Sequence, residues 1–485
     1  MPTIHLRRRL VELDAQILEQ KRVLLDLQQT RIAVERELRE TATYPILTLP
    51  VEVTIEIFHR LPLEVGDKMG IRRNTAPISL TAVCRIWRGI ALSTPTLWST
   101  MNISFDDIPS TVIAKPGLVE SFINQWLGRS GECPLSLTFS LPQLEINSLY
   151  DQVDFSIRRL RPIIRQYAHR VRYIELDFKE DTRISELELH SSPFPLLQVA
   201  NVCCDFHIET RVFSNAPLLH SLHLGGEEGV IVTRFHLPWQ QLTTFEGFID
   251  NLDLFIVAPN LIDVKCYWSG RESTLGVITH SRITSFTIIR DCDILQYLTF
   301  PSLQHLDVYP LVTYDFFESF LKRSCPPLIS LGADAAGQGF AQWHKALVHV
   351  AATLENIKIS YVPHEVMTSL LSLEERPWLS PPWRTLNLLP NLKTLHLSPV
   401  YGPVDQFYEL VRFLYARSDK LRSFQLEWFT TPFLDAWIGA GAPGAHEKAD
   451  TITGHFSRLQ TAGMDIYVGT PNRNYAAKTH DAADV

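Results

Sequence analysis

The chain has 485 residues, a formal net charge of −8 and 45% apolar residues. A chain of this length forms about three domains unless repeats build one elongated unit. Because acidic and basic side chains are interspersed and the acidic ones prevail, the composition argues against a general nucleic-acid-binding protein, which would carry a basic face.

The chain is predicted to begin with a coiled-coil-like helix over residues 1–43. Residues 6–40 contain neither Gly nor Pro, and Pro45 disfavours helix just before it. With Leu10 at heptad position a, seven of the nine a and d positions are apolar: Leu10, Leu13, Ile17, Gln20, Leu24, Leu27, Arg31, Val34 and Leu38. Such a seam favours a partner helix, so self-association through residues 6–40 is one expectation, and packing against the rest of the chain is the alternative.

The segment YPILTLPVEVTIEIFHRL, residues 44–61, predicts a short helix. Pro50 suits the first helical position, where its missing N–H costs nothing, and Glu52 in the first turn favours the helix dipole. Phe58 lies beside four apolar residues that recur at every fourth position: Leu49, Val53, Ile57 and Leu61.

A second helix is predicted over residues 78–92. Arg85 and Arg88 lie off its apolar stripe. Pro95 ends the region, and Trp98 follows as a further apolar anchor. The stripe consists of Leu80, Val83, Cys84, Trp87 and Ala91.

These segments resemble the F-box motif, with LPVEVTIEIF, VCRIWRGIA and LW in the expected order. The link between the two helices, residues 62–77, is longer than in most members of that family. The whole layout resembles the F-box-like proteins of mushroom-forming fungi, which combine a coiled coil, this box and a leucine-rich body. The resemblance implies an F-box domain over residues 44–103 that docks on the adaptor subunit of an SCF-type ubiquitin ligase and, through it, on a cullin.

The resemblance also implies which residues bind the partner. In the family, Leu49, Pro50 and the adjoining helix belong to the contact surface. The later Cys and Trp residues belong to the packed helical unit and partly to the interface. The alternative is that all of these residues form the core of a helical domain. The candidate partner-binding residues are Leu49, Pro50, Glu52, Val53, Ile57, Phe58, Cys84, Trp87 and Trp98.

The remainder of the chain repeats the pattern L-x-x-L-x-L. Its leading apolar positions are spaced mostly by 20 to 29 residues, as in leucine-rich repeats, which carry one strand each. These positions are 171, 197, 219, 242, 261, 283, 303, 328, 354, 392 and 421.

The repeats predict the fold class of the body. We expect an α/β protein in which residues 104–474 form an irregular leucine-rich-repeat solenoid with parallel strands. A sheet of unrelated α/β units is the alternative. Residues 376–384 are predicted to form an excursion loop, residues 464–468 a last strand, and residues 475–485 a disordered tail.

Motifs of catalysis and transport are not apparent in the sequence. It has no GxxxxGK[ST], HExxH, GxSxG or Rossmann glycine pattern, so we expect no enzyme activity and no cofactor or metal. Cys203, Cys204 and His207 lack a second ligand cluster nearby. An odd number of cysteines without a CxxC pair, no apolar run of about 18 residues and no signal peptide favour a cytoplasmic or nuclear protein.

Three functions remain after this reading. The leading hypothesis is a substrate-recognition adaptor of an SCF-type ubiquitin ligase, in which the repeats bind a substrate protein. The second is a scaffold that mediates protein–protein interaction outside a ligase, through its F-box and coiled coil. The third, a hydrolase hidden in the body, is disfavoured because the nucleophile–base signatures are absent.

Overall fold

A computed structural model describes most of the chain. The residues described are 2–41, 45–61, 76–105, 117–140, 150–177, 187, 189, 192–203, 211–225, 235–268, 276–309, 314–334, 346–363, 389–401, 407–428, 454–470, 473–474 and 476. Most of the link between the F-box helices, the excursion loop predicted at 376–384, Cys204, His207 and all but one residue of the predicted disordered tail lie outside these ranges.

The described residues form two compact units. One contains residues 2–61 and 76–97, and the other contains the described residues from 98 onward. The division falls just before Trp98. The first strand of the second unit, Thr100–Ser104, therefore lies almost entirely inside the range predicted for the F-box domain, 44–103.

The first unit is helical, and helices also connect strands of the second. Short 3-10 helices occur at Pro45–Thr48, Pro95–Trp98, Ala168–Arg170, Trp239–Gln241 and Asp293–Tyr297. The α-helices are α1 (Pro2–Thr41), α2 (Val51–Arg60), α3 (Ala76–Val83), α4 (Arg85–Ser93), α5 (Leu118–Arg129), α6 (Tyr150–Tyr167), α7 (Leu254–Val257), α8 (Tyr314–Ser324), α9 (Phe407–Ala416) and α10 (residues 454–461).

The predicted helix over residues 78–92 is in fact two helices. Cys84 has extended backbone angles, φ −155° and ψ 172°, and separates α3 from α4. Its Sγ accepts a hydrogen bond from the Trp87 backbone N–H at 3.4 Å, so the thiol caps α4 in the way that a serine hydroxyl caps many helices. The break is stabilised from α4 as well, because Arg88 Nε donates to the Thr81 carbonyl of α3 at 2.7 Å.

The second unit is built on one large sheet of mostly parallel strands. Its strands pair in the order in which they occur along the chain, except that β8 and β10 pair separately and β14 pairs with β15. The strands are β1 (Thr100–Ser104), β2 (Leu135–Ser140), β3 (Val171–Asp177), β4 (Val199–Cys203), β5 (Ser221–Gly225), β6 (Thr244–Ile249), β7 (Asp263–Trp268), β8 (Ile278–Thr279), β9 (Ser285–Ile289), β10 (Leu298–Thr299), β11 (His305–Tyr309), β12 (Ser330–Asp334), β13 (Asn356–Ser360), β14 (Val362–Pro363), β15 (Thr394–Tyr401), β16 (Ser423–Trp428), β17 (Asp465–Thr470) and β18 (Arg473–Asn474).

One face of this sheet is a continuous core. Alternate side chains of a strand point to opposite faces, so an in-register parallel sheet stacks equivalent residues of successive strands. One such ladder crosses fourteen strands, and each member is at most 1% exposed. Its members are Met101, Leu137, Ile174, Ala200, Leu222, Phe245, Val264, Phe286, Leu306, Leu331, Ile357, Leu395, Phe424 and Ile466.

The repeat positions identified in the sequence lie in this core. All eleven leading apolar residues, from Val171 to Leu421, are buried. Strands β1 and β2 precede the first repeat recognised in the sequence and form one end of the sheet. At the other end, β17 begins one residue after its predicted start, and the short β18 pairs with it in antiparallel orientation.

Candidate protein-binding surfaces

One flank of α2 exposes apolar side chains, beside the exposed charged residues Glu52, Glu56 and Arg60. Leu49, Val53 and Leu61 are 37%, 44% and 39% exposed, and Ile57 between them is half-buried. We call these four residues, spaced at every fourth position, the α2 stripe. The apolar face of a surface helix ordinarily points to the core, so an outward apolar stripe marks a surface that another chain can cover.

The side of α2 that carries Thr54 and Phe58 packs on α3 and α4. Phe58 is 2% exposed and meets the Trp87 ring edge-on, with the ring centroids 5.0 Å apart. Leu80 and Ala91 complete this small core, and Trp87 is only partly buried. Thr54 is also buried, and its hydroxyl donates to the Pro50 carbonyl at 3.2 Å, which satisfies a polar group that burial would otherwise penalise.

The residues at the start of α2 are exposed. Pro50 is the N-cap of α2, so the helix begins at Val51, one residue later than the sequence predicted. The Pro50 carbonyl accepts the Thr54 N–H at 3.0 Å. Leu49 and Pro50 are both exposed, as is Glu52 in the first turn. A partner protein can therefore contact these three residues without any rearrangement of the helical unit.

The candidate residues thus divide by position. Leu49, Pro50, Glu52 and Val53 are exposed, and Ile57, Cys84 and Trp87 are half-buried. Phe58 and Trp98 are buried, which gives them packing roles in the unbound chain.

Trp98 belongs to the sheet unit. Its ring is fully buried, 5.0 Å from the Trp126 ring of α5, and the guanidinium of Arg129 lies 4.6 Å from its centroid. These contacts give Trp98 a packing role in the sheet unit, and its place in the partner-binding set stays a prediction. Leu97 and Trp98, the LW pair of the motif, belong to different units: Leu97 packs against the core of the helical unit, and Trp98 lies in the sheet unit.

Several exposed apolar residues of the helical unit were not among the candidates. Val51, Val83, Ile86 and Leu92 are 43% to 60% exposed. Val83 was assigned to the buried stripe of one continuous helix. The break at Cys84 changes the helical phase, and that change was not visible from residue spacing.

A second surface lies on the face of the sheet opposite its core, which we call the open face. Its strand side chains are half-buried, and in its middle they form two parallel rows. Glu246, Lys265, Thr287 and Asp307 occupy neighbouring strands in one row; Phe248, Tyr267, Ile289 and Tyr309 occupy the other.

The second row carries the features of an anchoring surface. Phe248 and Tyr267 stack with their centroids 4.6 Å apart and their planes at 22°. The Arg290 guanidinium lies 4.6 Å from the Phe248 ring. Arg290 adopts φ +83°, a conformation that costs a non-glycine residue about 1–3 kcal/mol and that often occurs at functional sites.

The first row is a network of charged side chains. The Glu246 carboxylate contacts Lys265 Nζ at 2.5 Å and His223 Nδ1 at 3.5 Å. The hydrogen bond to Glu246 raises the pKa of Lys265 above its usual value. Burial raises the pKa of Asp307 and raises that of Tyr309 to about 12, and the Tyr309 hydroxyl donates to Asp307 Oδ1 at 3.4 Å. The open face therefore combines the Glu246–Lys265 ion pair with aromatic area.

Among the described residues, one group of His, Cys, Asp and Glu is close enough to hold a metal ion, the consecutive Asp291, Cys292 and Asp293. The Asp291 Oδ1 accepts the Asp293 N–H at 2.9 Å, which is the local geometry of a turn that starts a 3-10 helix. No disulfide bond joins the described cysteines. The helices in the described part of the chain include none long and apolar enough to cross a membrane.

Comparison with known proteins agrees with this geometry. Residues 46–104 match the family described as F-box-like. The chain therefore contains an F-box-like domain, and the matched range covers the α2 stripe and its supporting helices. A role in protein–protein interaction follows from that domain, since F-box domains generally bind the adaptor subunits of SCF-type ligases. A search of curated proteins found no match to the chain.

Proposed function

We propose that this protein is a substrate-recognition adaptor of an SCF-type ubiquitin ligase. The exposed α2 stripe, in a segment that matches the F-box-like family, is the observation that carries the proposal. A buried core beneath an outward apolar helix face is the arrangement that a docking module needs, because apolar anchors dominate interface energetics. The stripe docks on the adaptor, which links the protein to a cullin.

The sheet unit is the substrate-binding part of this proposal. Its sequential parallel strands and buried apolar ladder support an irregular leucine-rich-repeat solenoid, as in the fungal F-box-like proteins that the sequence resembles. Aromatic residues and arginine are enriched in the anchoring cores of protein interfaces. The row around Phe248 and Tyr267, with Arg290 over it, is therefore the surface of the open face that we assign to the substrate protein.

The mechanism in this proposal is proximity. The protein performs no bond chemistry and is not an enzyme. It holds a substrate beside a ubiquitin-charged carrier protein on the same assembly, which raises the effective concentration of the substrate's lysines. No metal or cofactor takes part.

A complex assembled from purified components tests the ligase role against the scaffold alternative. The protein is mixed with the adaptor alone and with the adaptor bound to a cullin, and each mixture is separated by size. We expect a complex that contains all three chains. A complex with the adaptor that excludes the cullin would favour the scaffold function, and the absence of any complex would contradict the ligase role.

The substrate surface is tested separately. The double variant Phe248→Ala/Tyr267→Ala removes the stacked pair from the half-buried face and leaves the core ladder intact. We expect it to keep the adaptor and to lose proteins captured by the wild-type chain in host extracts. The matched control is Tyr415→Ala, which removes a 40%-exposed aromatic ring from α9. An unchanged set of captured proteins would contradict the assignment of this surface.

A further inference from the structure

Helix α1 presents unusual apolar exposure. It runs for 40 residues, and none of its described side chains is buried. Leu10, Leu13, Ile17, Leu24 and Leu27 along its heptad seam are 49% to 62% exposed. An apolar seam of this length is not expected to remain in water, so it requires an occupant.

The seam is distinct from a second apolar column on the same helix. Val11, Leu18, Leu25 and Ile32 repeat at heptad position b and are also exposed. This column is one residue wide, because the e positions beside it are polar: Asp14, Lys21, Gln28 and Glu35. The a and d positions form the double column that two-helix packing uses.

The surface of the seam already has the shape that receives a side chain from another helix. An apolar depression on α1 is lined by Leu13, Gln16, Ile17, Gln20, Lys21 and Leu24. These residues are successive d, g, a, d, e and a positions, which surround the holes that receive knobs in coiled coils. The shape of the seam therefore indicates a helix as the occupant.

The charges on α1 select the direction of that partner helix. In a parallel pair of two copies, the a-position Arg31 of one helix would face Arg31 of the other inside the seam, where desolvated like charges repel. In an antiparallel pair, Arg31 faces Leu13 and lies near Asp14 of the second copy. The antiparallel arrangement removes this conflict inside the seam and adds Asp14 to the countercharge that Glu35 of the same helix already gives Arg31 at 2.9 Å. It also brings Lys21 of one copy near Lys21 of the other, but at an exposed edge position, where solvent and salt screen the repulsion.

The two ends of α1 give the same result. The first two turns carry the basic run Arg7 to Arg9. The last turns carry Glu35, Glu37 and Glu40 as well as Arg36 and Arg39, and the residues at the e and g positions beside the seam are Glu35 and Glu37. In an antiparallel pair the e position Arg7 lies near Glu35 of the second copy, and the g position Arg9 lies near Glu37. A parallel pair would place the basic run of one copy beside the basic run of the other.

We propose that α1 binds α1 of a second copy of this chain in antiparallel orientation. Leu10 of one helix lies opposite Val34 of the other, and Ile17 lies opposite Leu27. The F-box-like domain follows α1 directly, so its two copies begin at opposite ends of the pair, about 57 Å apart at a rise of 1.5 Å per residue. The resulting assembly is divalent, and the pairing does not depend on the proposed ligase role.

Molar mass measured by light scattering tests the pairing. The variant Ile17→Glu/Leu24→Glu charges the seam, and Leu18→Glu/Leu25→Glu charges the b column at similar exposure. We expect the wild type and the b-column variant to contain at least two chains at tens of micromolar protein and the seam variant to be monomeric. A monomeric wild type, or equal dissociation of the two variants, would overturn the proposal.

Engineered disulfides test whether the two helices are antiparallel, and they do so without the charged seam variant, which could fold poorly. Residues 1–41 contain no cysteine, so Leu10→Cys and Val34→Cys introduce single sites there, and the wild type treated alike gives the background. We expect an oxidised cross-link between positions 10 and 34 when the two variants are co-expressed, and none in either variant alone. If each variant expressed alone forms a cross-linked dimer, the helices pair in parallel. If neither variant alone nor the co-expressed pair forms a cross-link, the helices do not pair. Either result overturns the proposal.

Discussion

At the scale of single residues, Thr54 and Phe58 determine which side of α2 is available to a partner. Both are buried, and Phe58 contacts the Trp87 ring. Together they orient the helix so that Val53 and Leu61 face solvent. The sequence period alone could not decide this, because a stripe at every fourth position is equally typical of a core-facing helix.

Replacement of Phe58 tests this packing. Phe58→Ala removes a buried ring, which costs about 3–5 kcal/mol of stability in a well-packed core. We expect a smaller loss for Trp87→Ala, because part of that ring is exposed. Hydrogen exchange of the backbone amides in α2 and α4 measures the effect. Unchanged protection in the Phe58 variant would show that this residue does not support the domain.

The cysteines provide a second test at this scale. Cys266 is fully buried, and burial raises the pKa of its thiol, so its reactive thiolate form is depleted at pH 8. Cys325 is exposed. We expect iodoacetamide to modify Cys325 rapidly in the native protein and Cys266 only after denaturation, as read by peptide mass spectrometry. Equal labelling of the two thiols in the native state would contradict the position of β7.

At the scale of elements, the close approach of strands β5 and β6 explains why a glycine, Gly247, occupies an inward position of β6. A Cβ added to Gly247 in β6 would lie 2.7 Å from the Leu224 carbonyl oxygen of β5 and 3.2 Å from the Phe245 ring. The carbonyl belongs to the strand backbone, so it cannot move without disturbing the pairing of the two strands.

Alanine substitutions at two glycines test that strand contact. Gly247→Ala overpacks the core, and we expect it to cost about 1–3 kcal/mol. Gly276→Ala is the control, because its added Cβ meets no atom within 4 Å. Urea denaturation followed by circular dichroism compares them. Equal midpoints for the two variants would be inconsistent with the spacing between β5 and β6.

The sequence predicted the strands where the full repeat pattern is present. From β3 to β16, an apolar residue three positions before the first inward residue marks most strands, and those residues are buried. Strand β2 lacks this spacing, because Leu135, which pairs with the leading residue Val171, lies two residues before the inward Leu137 instead of three, and the strand was not predicted. Strand β1 was assigned to the F-box because Trp98, just before it, completes the motif in the sequence.

The break between α3 and α4 was not predicted for a different reason. Residues 76–93 keep helical apolar spacing through Cys84, and cysteine is not among the residues that usually cap helices. The break depends on a contact between Cys84 Sγ and the Trp87 N–H, which forms only once the backbone leaves the helix. The spacing of apolar residues does not indicate a side-chain hydrogen bond that competes with the helical backbone hydrogen bonds at one residue.

At the scale of the whole molecule, the two units divide the proposed function. The helical unit offers an apolar stripe above a buried core, and the sheet unit offers an open face with aromatic and charged rows. Each surface stays exposed while its own unit buries a separate core, so a substitution on one surface should leave the other active. This independence lets adaptor binding be measured without knowledge of the substrate.

Binding of the full-length protein to the purified adaptor subunit, measured by titration calorimetry, tests the central claim most directly. Leu49→Asp/Val53→Asp places two charges on the α2 stripe, and Leu196→Asp is the control, since Leu196 is 38% exposed and Leu49 is 37% exposed. We predict that the wild type and the control bind with equal affinity and that the stripe variant binds at least tenfold more weakly. Failure of the wild type to bind the adaptor, or undiminished binding by the stripe variant, would contradict the account.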